Sequence, residues 1–140
     1  MTKVEIENEL RRLRMQLEQY YSKRAKRTKE RDEMERIINE LHKKEQEIEK
    51  GIQQTLTTIK ARVDKLNKKS KFRVRYVENA KRILYNSNSS NAIERVRGAE
   101  RKAKNRCLEL DGTINYYNRM IYATEKEICF LKQQLEQTGE

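Results

Sequence analysis

His42, Cys107 and Cys129 are the chain's only imidazole and thiol groups, the side chains most often used to ligate a metal or attack carbon. On paper they assemble no reaction centre. The single histidine has no second histidine or cysteine at ligand spacing, so no zinc motif can be written. No nucleophile is matched to a base and an orienting acid. The two cysteines stand about six turns apart on one helix, ~33 Å at ~1.5 Å per residue, whereas a disulfide needs Cα atoms within ~7 Å. These residues therefore predict no catalytic residue, no metal and no cofactor, and a chain that is not an enzyme.

The surroundings of Cys107 are more informative than its thiol. Ile93, Val96, Glu100, Ala103, Cys107, Leu110, Ile114, Tyr117, Ile121, Thr124, Ile128, Leu131 and Leu135 alternate three and four apart, and only Glu100 is charged. That heptad spacing predicts an α-helix with one narrow apolar seam, the width that another helix covers. Cys107 sits in the seam as a small hydrophobe and Cys129 on its flank.

A second seam runs through Ile6, Leu10, Leu13, Leu17 and Tyr20, then Met34, Ile38, Leu41, Ile48, Ile52, Ile59 and Leu66. Arg24, Arg27 and Arg31 fall in the same frame and interrupt it, and the basic run from Ser22 to Lys29 is either solvated helix or a place where the facing helix supplies carboxylates. Two polar segments can break the helical pattern, 67–71 and 86–91. A reversal near 69 leaves arms of nearly equal length, ~96 Å each at ~1.5 Å per residue. The prediction is an all-α, elongated, antiparallel, coiled-coil-like helical hairpin forming a single domain over 1–140. Its first arm spans 3–66, its turn 67–71, and its second arm 72–137 with an interruption near 86–91. Asn91 with Glu94 resembles a capping box and predicts a fresh helix start at Ala92. This register places Leu13 near 123–129, and Arg27 and Arg31 beside Glu109 and Asp111.

Composition agrees: 39% of residues are charged, proline and tryptophan are absent, and there are only four glycines. No run approaches the ~20 apolar residues of a membrane span, and Met1-Thr2-Lys3-Val4-Glu5 lacks a secretory signal's apolar block. A cytoplasmic origin is expected, with any export leaving the chain uncleaved. Charge is uneven. Between Lys60 and Arg106 sixteen Lys/Arg face four acidic residues, which places the net charge of +11 in this segment. Lys68, Lys69, Lys71, Arg73 and Arg75 form the centre of this basic pole, which attracts polyanions in a salt-dependent way. Phe72, Tyr76 and Tyr85 lie among those cations as a base-stacking surface would. The helical spacing of Phe72, Tyr76, Ala80 and Ile83 instead predicts a face packed in a core. No zinc finger, RNA-recognition signature or phosphate loop is present.

A helical hairpin of this size with an aromatic residue just after a midpoint turn resembles the WXG-like small helical proteins, in particular the partners of LXG-domain toxins exported by Gram-positive type VII secretion systems. Phe72 stands where the motif has Trp, and Val74 where it has Gly. The carboxyl-terminal export pattern Tyr-x-x-x-Asp/Glu is not matched, since Tyr122 is followed at the fourth position by Lys126; Phe130 is likewise followed by Gln134. What the resemblance implies is a signal-less, chaperone-like accessory subunit that binds the helical LXG region of a toxin. The residues expected to hold that helical partner are Ile114, Tyr117, Ile121, Ile128, Leu131 and Leu135 with Leu10, Leu13 and Leu17. Val4, Ile37, Val63, Val77, Leu84, Leu108 and Tyr122 are expected on apolar flanks. Two alternatives remain open: a phage or mobile-element nucleic-acid-binding accessory protein using the basic pole, and a self-associating structural coiled coil.

Overall fold

A computed structural model describes the backbone of residues 1–66, 70–85 and 88–138, and the side chains of these except 65, 66, 70–74, 85 and 88–90. Three α-helices follow one another: α1 (Lys3–Leu66), α2 (Ser70–Tyr85) and α3 (Asn88–Thr138), with no strand among the described residues. The chain is an all-α helical hairpin in which α1 packs against α3, as the two seams predict. A helix as long and polar as α1 draws its stability from the covered stripe more than from intrinsic propensity.

The start of α1 is locked by a capping box that the sequence reading did not single out. Thr2 Oγ1 accepts from the Glu5 backbone N–H at 3.2 Å, while Glu5 Oε2 accepts from the Thr2 N–H at 2.9 Å. The predicted box at Asn91 and Glu94 is not a helix start, because α3 begins at Asn88 and Asn91 already lies inside it. Of the predicted interruption, 86 and 87 lie outside the described residues, and 88–91 belong to α3. Of the predicted turn, 67–69 lie outside the described residues, and Ser70 and Lys71 belong to α2.

The helices divide into two compact units. The first joins Met1–Met34 to Asn105–Glu140, and the second comprises Glu35–Lys104. In the first, Ile6, Leu10, Leu13, Ile128 and Leu131 form one buried cluster, with Leu17 and Leu135 packed against it. Leu13 shares this cluster with Ile128, which lies in the predicted stretch, and with Leu131, which lies just beyond it. Above this cluster Tyr20 and Tyr117 approach with ring centroids 6.3 Å apart, and Gln16 donates to the Tyr20 hydroxyl at 2.9 Å. Next come polar cross-links: Tyr21 to Glu125, Arg24 to Asn118 at 3.0 Å, and Arg31 to Asp111. The Arg31 pair is the one the register predicts. Arg27 instead donates to Glu30 in its own helix at 2.8 Å, and Glu109 accepts from Arg106.

Among the described side chains of the second unit, the buried apolar ones are Ile52, Val63, Ile93 and Ala103. Val63, expected on a flank, belongs to this core. Among the described side chains of α2, Val77, Ala80 and Leu84 are half-buried. Tyr76 and Ile83 do not pack in a core as predicted, being 62% and 68% exposed. The inward face of α2 is centred between Val77, Ala80 and Leu84, which turns Tyr76 and Ile83 outward at ~100° per residue.

Candidate functional site

All thirteen predicted seam positions of α3 are buried or half-buried. Thr124 tolerates burial because its hydroxyl donates to the Met120 carbonyl at 2.7 Å, leaving no unmet polar atom. The nine residues expected to hold a partner are therefore engaged within the hairpin. Leu10, Leu13, Ile121, Ile128 and Leu131 are buried, and Leu17, Ile114, Tyr117 and Leu135 half-buried. Other apolar side chains are more open to a partner than these.

Those side chains lie on the back of α3. Leu108 is 69% exposed and Tyr122 66%, and Tyr116 and Phe130 are also open, all in the first unit. At ~100° per residue, Leu108, Tyr122 and Phe130 fall within ~40° of one direction, roughly opposite the seam. Asn115, Arg119, Lys126 and Cys129 lie among them, and Lys126 Nζ is 5.7 Å from the Tyr122 ring centroid. This helix thus carries one continuous apolar stripe consumed by α1 and, on its back, an open one interrupted by Asn115, Arg119 and Lys126. Of the predicted flanks, Val4, Ile37, Leu108 and Tyr122 are exposed.

A different chemistry occupies the second unit. Glu100, the only charged residue of the α3 seam, is 8% exposed, and its Oε1 is buried without a hydrogen-bond partner. Its neighbours are His42 and Glu45 of α1, and one ligand-capable atom from each of the three lies within 4.8 Å of the others. His42 Nδ1 is 4.0 Å from Glu100 Oε1. Arg97 reaches this group from α3, donating to Glu45 Oε1 at 2.8 Å and to Glu49 at 3.4 Å. The Arg97 hydrogen bond holds the Glu45 carboxyl below its usual range, against an opposing desolvation. The sequence shows His42 and Glu45 one turn apart and Glu100 as an anomaly in its seam. What it lacks is the pairing register that brings them together.

At the basic pole Arg75 is exposed, as are Lys81 and Arg82; the side chains of Lys68, Lys69, Lys71, Arg73 and Phe72 lie outside the described ones. Arg75, Asn79 and Arg82 share the outward face of α2 with Tyr76 and Ile83 to one side. Among the described residues no helix is long and apolar enough to cross a membrane. Comparison of the chain with family models, curated proteins and solved structures finds no match in any of the three.

Proposed function

We propose that the chain is a non-enzymatic helical adaptor that receives a helix of a partner protein along the open stripe of α3, at Leu108, Tyr116, Tyr122 and Phe130. The observation that carries this reading is the two-faced character of α3. Leucine and aromatic side chains left in water along one face, with Asn115, Arg119 and Lys126 between them, offer an amphipathic helix apolar contacts flanked by polar ones. In its sharper form the partner is the helical LXG region of a type VII-secreted toxin, and the chain is the chaperone-like subunit that meets it in the cytoplasm and accompanies its export uncleaved. The resemblance of the hairpin to WXG-like proteins supports that form.

The test is complex formation between the purified full chain and an LXG-type helical segment, followed by size-exclusion chromatography with light scattering. The reading expects a complex that Leu108→Glu combined with Tyr122→Glu weakens at least tenfold while the thermal midpoint stays the same. A complex that tolerates both changes, or a homo-oligomer alone, refutes it; the second outcome favours the self-associating coiled coil.

The outward placement of Tyr76 beside Arg75 and Arg82 supports a second reading, nucleic-acid binding by α2. An exposed aromatic ring among cations is what base stacking on a phosphate-binding surface requires. Binding to single-stranded DNA that falls steeply with salt and is lost with Tyr76→Ala and Arg82→Ala is its signature.

A further inference from the structure

A buried carboxylate oxygen without a partner is costly, because desolvation is not repaid by a hydrogen bond. Glu100 presents such an oxygen, and it does so in the cluster where His42 and Glu45 can also ligate. We infer that His42, Glu45 and Glu100 form a binding site for one divalent first-row transition-metal ion. The site is separate from the open stripe of α3 and does not depend on the partner reading.

Position and chemistry converge on this assignment. His42 and Glu45 are three residues apart on α1, so their side chains share one face, and Glu100 faces them from α3. Two carboxylates neutralise a divalent charge. The imidazole nitrogen selects zinc, cobalt or nickel over calcium and magnesium, which favour all-oxygen shells. Three protein ligands leave at least one coordination position open. With metal–ligand bonds of ~2.0–2.1 Å, neighbouring ligand atoms around a tetrahedral ion lie ~3.4 Å apart, so the present spread of up to 4.8 Å must contract by roughly 1 Å. His42 is largely exposed, its Nε2 3.4 Å from Gln46 Nε2, and can make that adjustment by side-chain rotation. Arg97 must release Glu45 as the ion enters, and it has Glu49 at 3.4 Å and Glu94 at 4.0 Å to turn to. Metal binding would thus exchange an arginine–carboxylate contact for a coordinated one between the two helices.

The chain suits a clean test, because His42 is its sole histidine. Cys107→Ser with Cys129→Ser removes the thiols that would bind zinc adventitiously, and circular dichroism checks that this background remains helical. Zinc titrated into the full-length background protein should bind with one-to-one stoichiometry by calorimetry and raise the thermal midpoint. Cobalt should shift or broaden the single histidine ring signal in the proton NMR spectrum. Glu100→Gln preserves the shape of the side chain and should weaken zinc binding at least tenfold; His42→Ala, at an exposed position, should do the same without loss of fold. Magnesium in hundredfold excess should not compete. Absence of binding by millimolar zinc, or zinc binding unchanged by Glu100→Gln, overturns the assignment.

Discussion

Residues 1–34 with 105–140 and residues 35–104 use the same three-and-four spacing but fill it differently. In the first unit five aliphatic side chains, Ile6, Leu10, Leu13, Ile128 and Leu131, touch in one cluster. In the second unit the buried apolar residues are accompanied by Glu100, with His42, Glu45 and Arg97 around it. Heptad spacing decides which side chains face the other helix. What those side chains are made of decides whether the contact chiefly adds stability or carries polar chemistry, since buried charge is weak support for a fold.

Substitutions can break this contrast, beginning with the largest expected effect. Leu13→Ala removes a fully buried side chain of the aliphatic cluster and should cost ~2–5 kcal/mol in urea unfolding. A loss under 1 kcal/mol would mean that the cluster is not the main source of stability. Glu100→Leu replaces a buried carboxylate whose Oε1 lacks a hydrogen bond by an apolar side chain of similar length and should stabilise by ~1–3 kcal/mol without metal. Destabilisation by that change would show that the polar layer holds the second unit together. Gly51→Ala lies in a helix with nothing within 4 Å of the added Cβ, and should raise stability by ~1 kcal/mol.

The pH dependence sharpens the comparison further. Arg97 lowers the folded-state pKa of Glu45, so the folded chain favours the charged carboxylate. Its contribution is present above the ordinary carboxylate range and is lost as the pH falls through the lowered value. Arg97→Ala should therefore lower the thermal midpoint at about pH 7 and have little effect at about pH 2. An equal effect at both values would assign Arg97 a packing role instead. The smallest change is expected at the periphery: Asp111→Asn removes a partly exposed ion pair with Arg31 and should cost under ~1 kcal/mol.

Much of the fold is legible because covered seams repeat. Ile93 through Leu135 specify the buried face of α3 residue by residue, and Leu13 and Ile128 fall in one buried cluster. Short-range signals are less decisive. Asn91 and Glu94 have capping chemistry, but the helix already runs from Asn88, whereas Thr2 and Glu5 do cap α1. On α2 both Phe72-Tyr76-Ala80-Ile83 and Val77-Ala80-Leu84 have helical spacing, and pattern alone does not choose between neighbouring faces. The polar cluster is harder still to read, because His42 and Glu45 lie more than fifty residues from Glu100. The open stripe of α3 lay partly in view, through Leu108 and Tyr122 as flanking apolar residues.

Native-state hydrogen exchange resolved by residue tests the contrast between the two seam fillings most directly, because amide protection reports local opening free energy. Amides around Leu10–Leu13 and Ile128–Leu131 should exchange most slowly, and those around Leu41–Glu45 and Arg97–Glu100 should exchange faster in metal-free protein. Equal protection in the two units, or the slowest exchange around Glu100, would contradict the account.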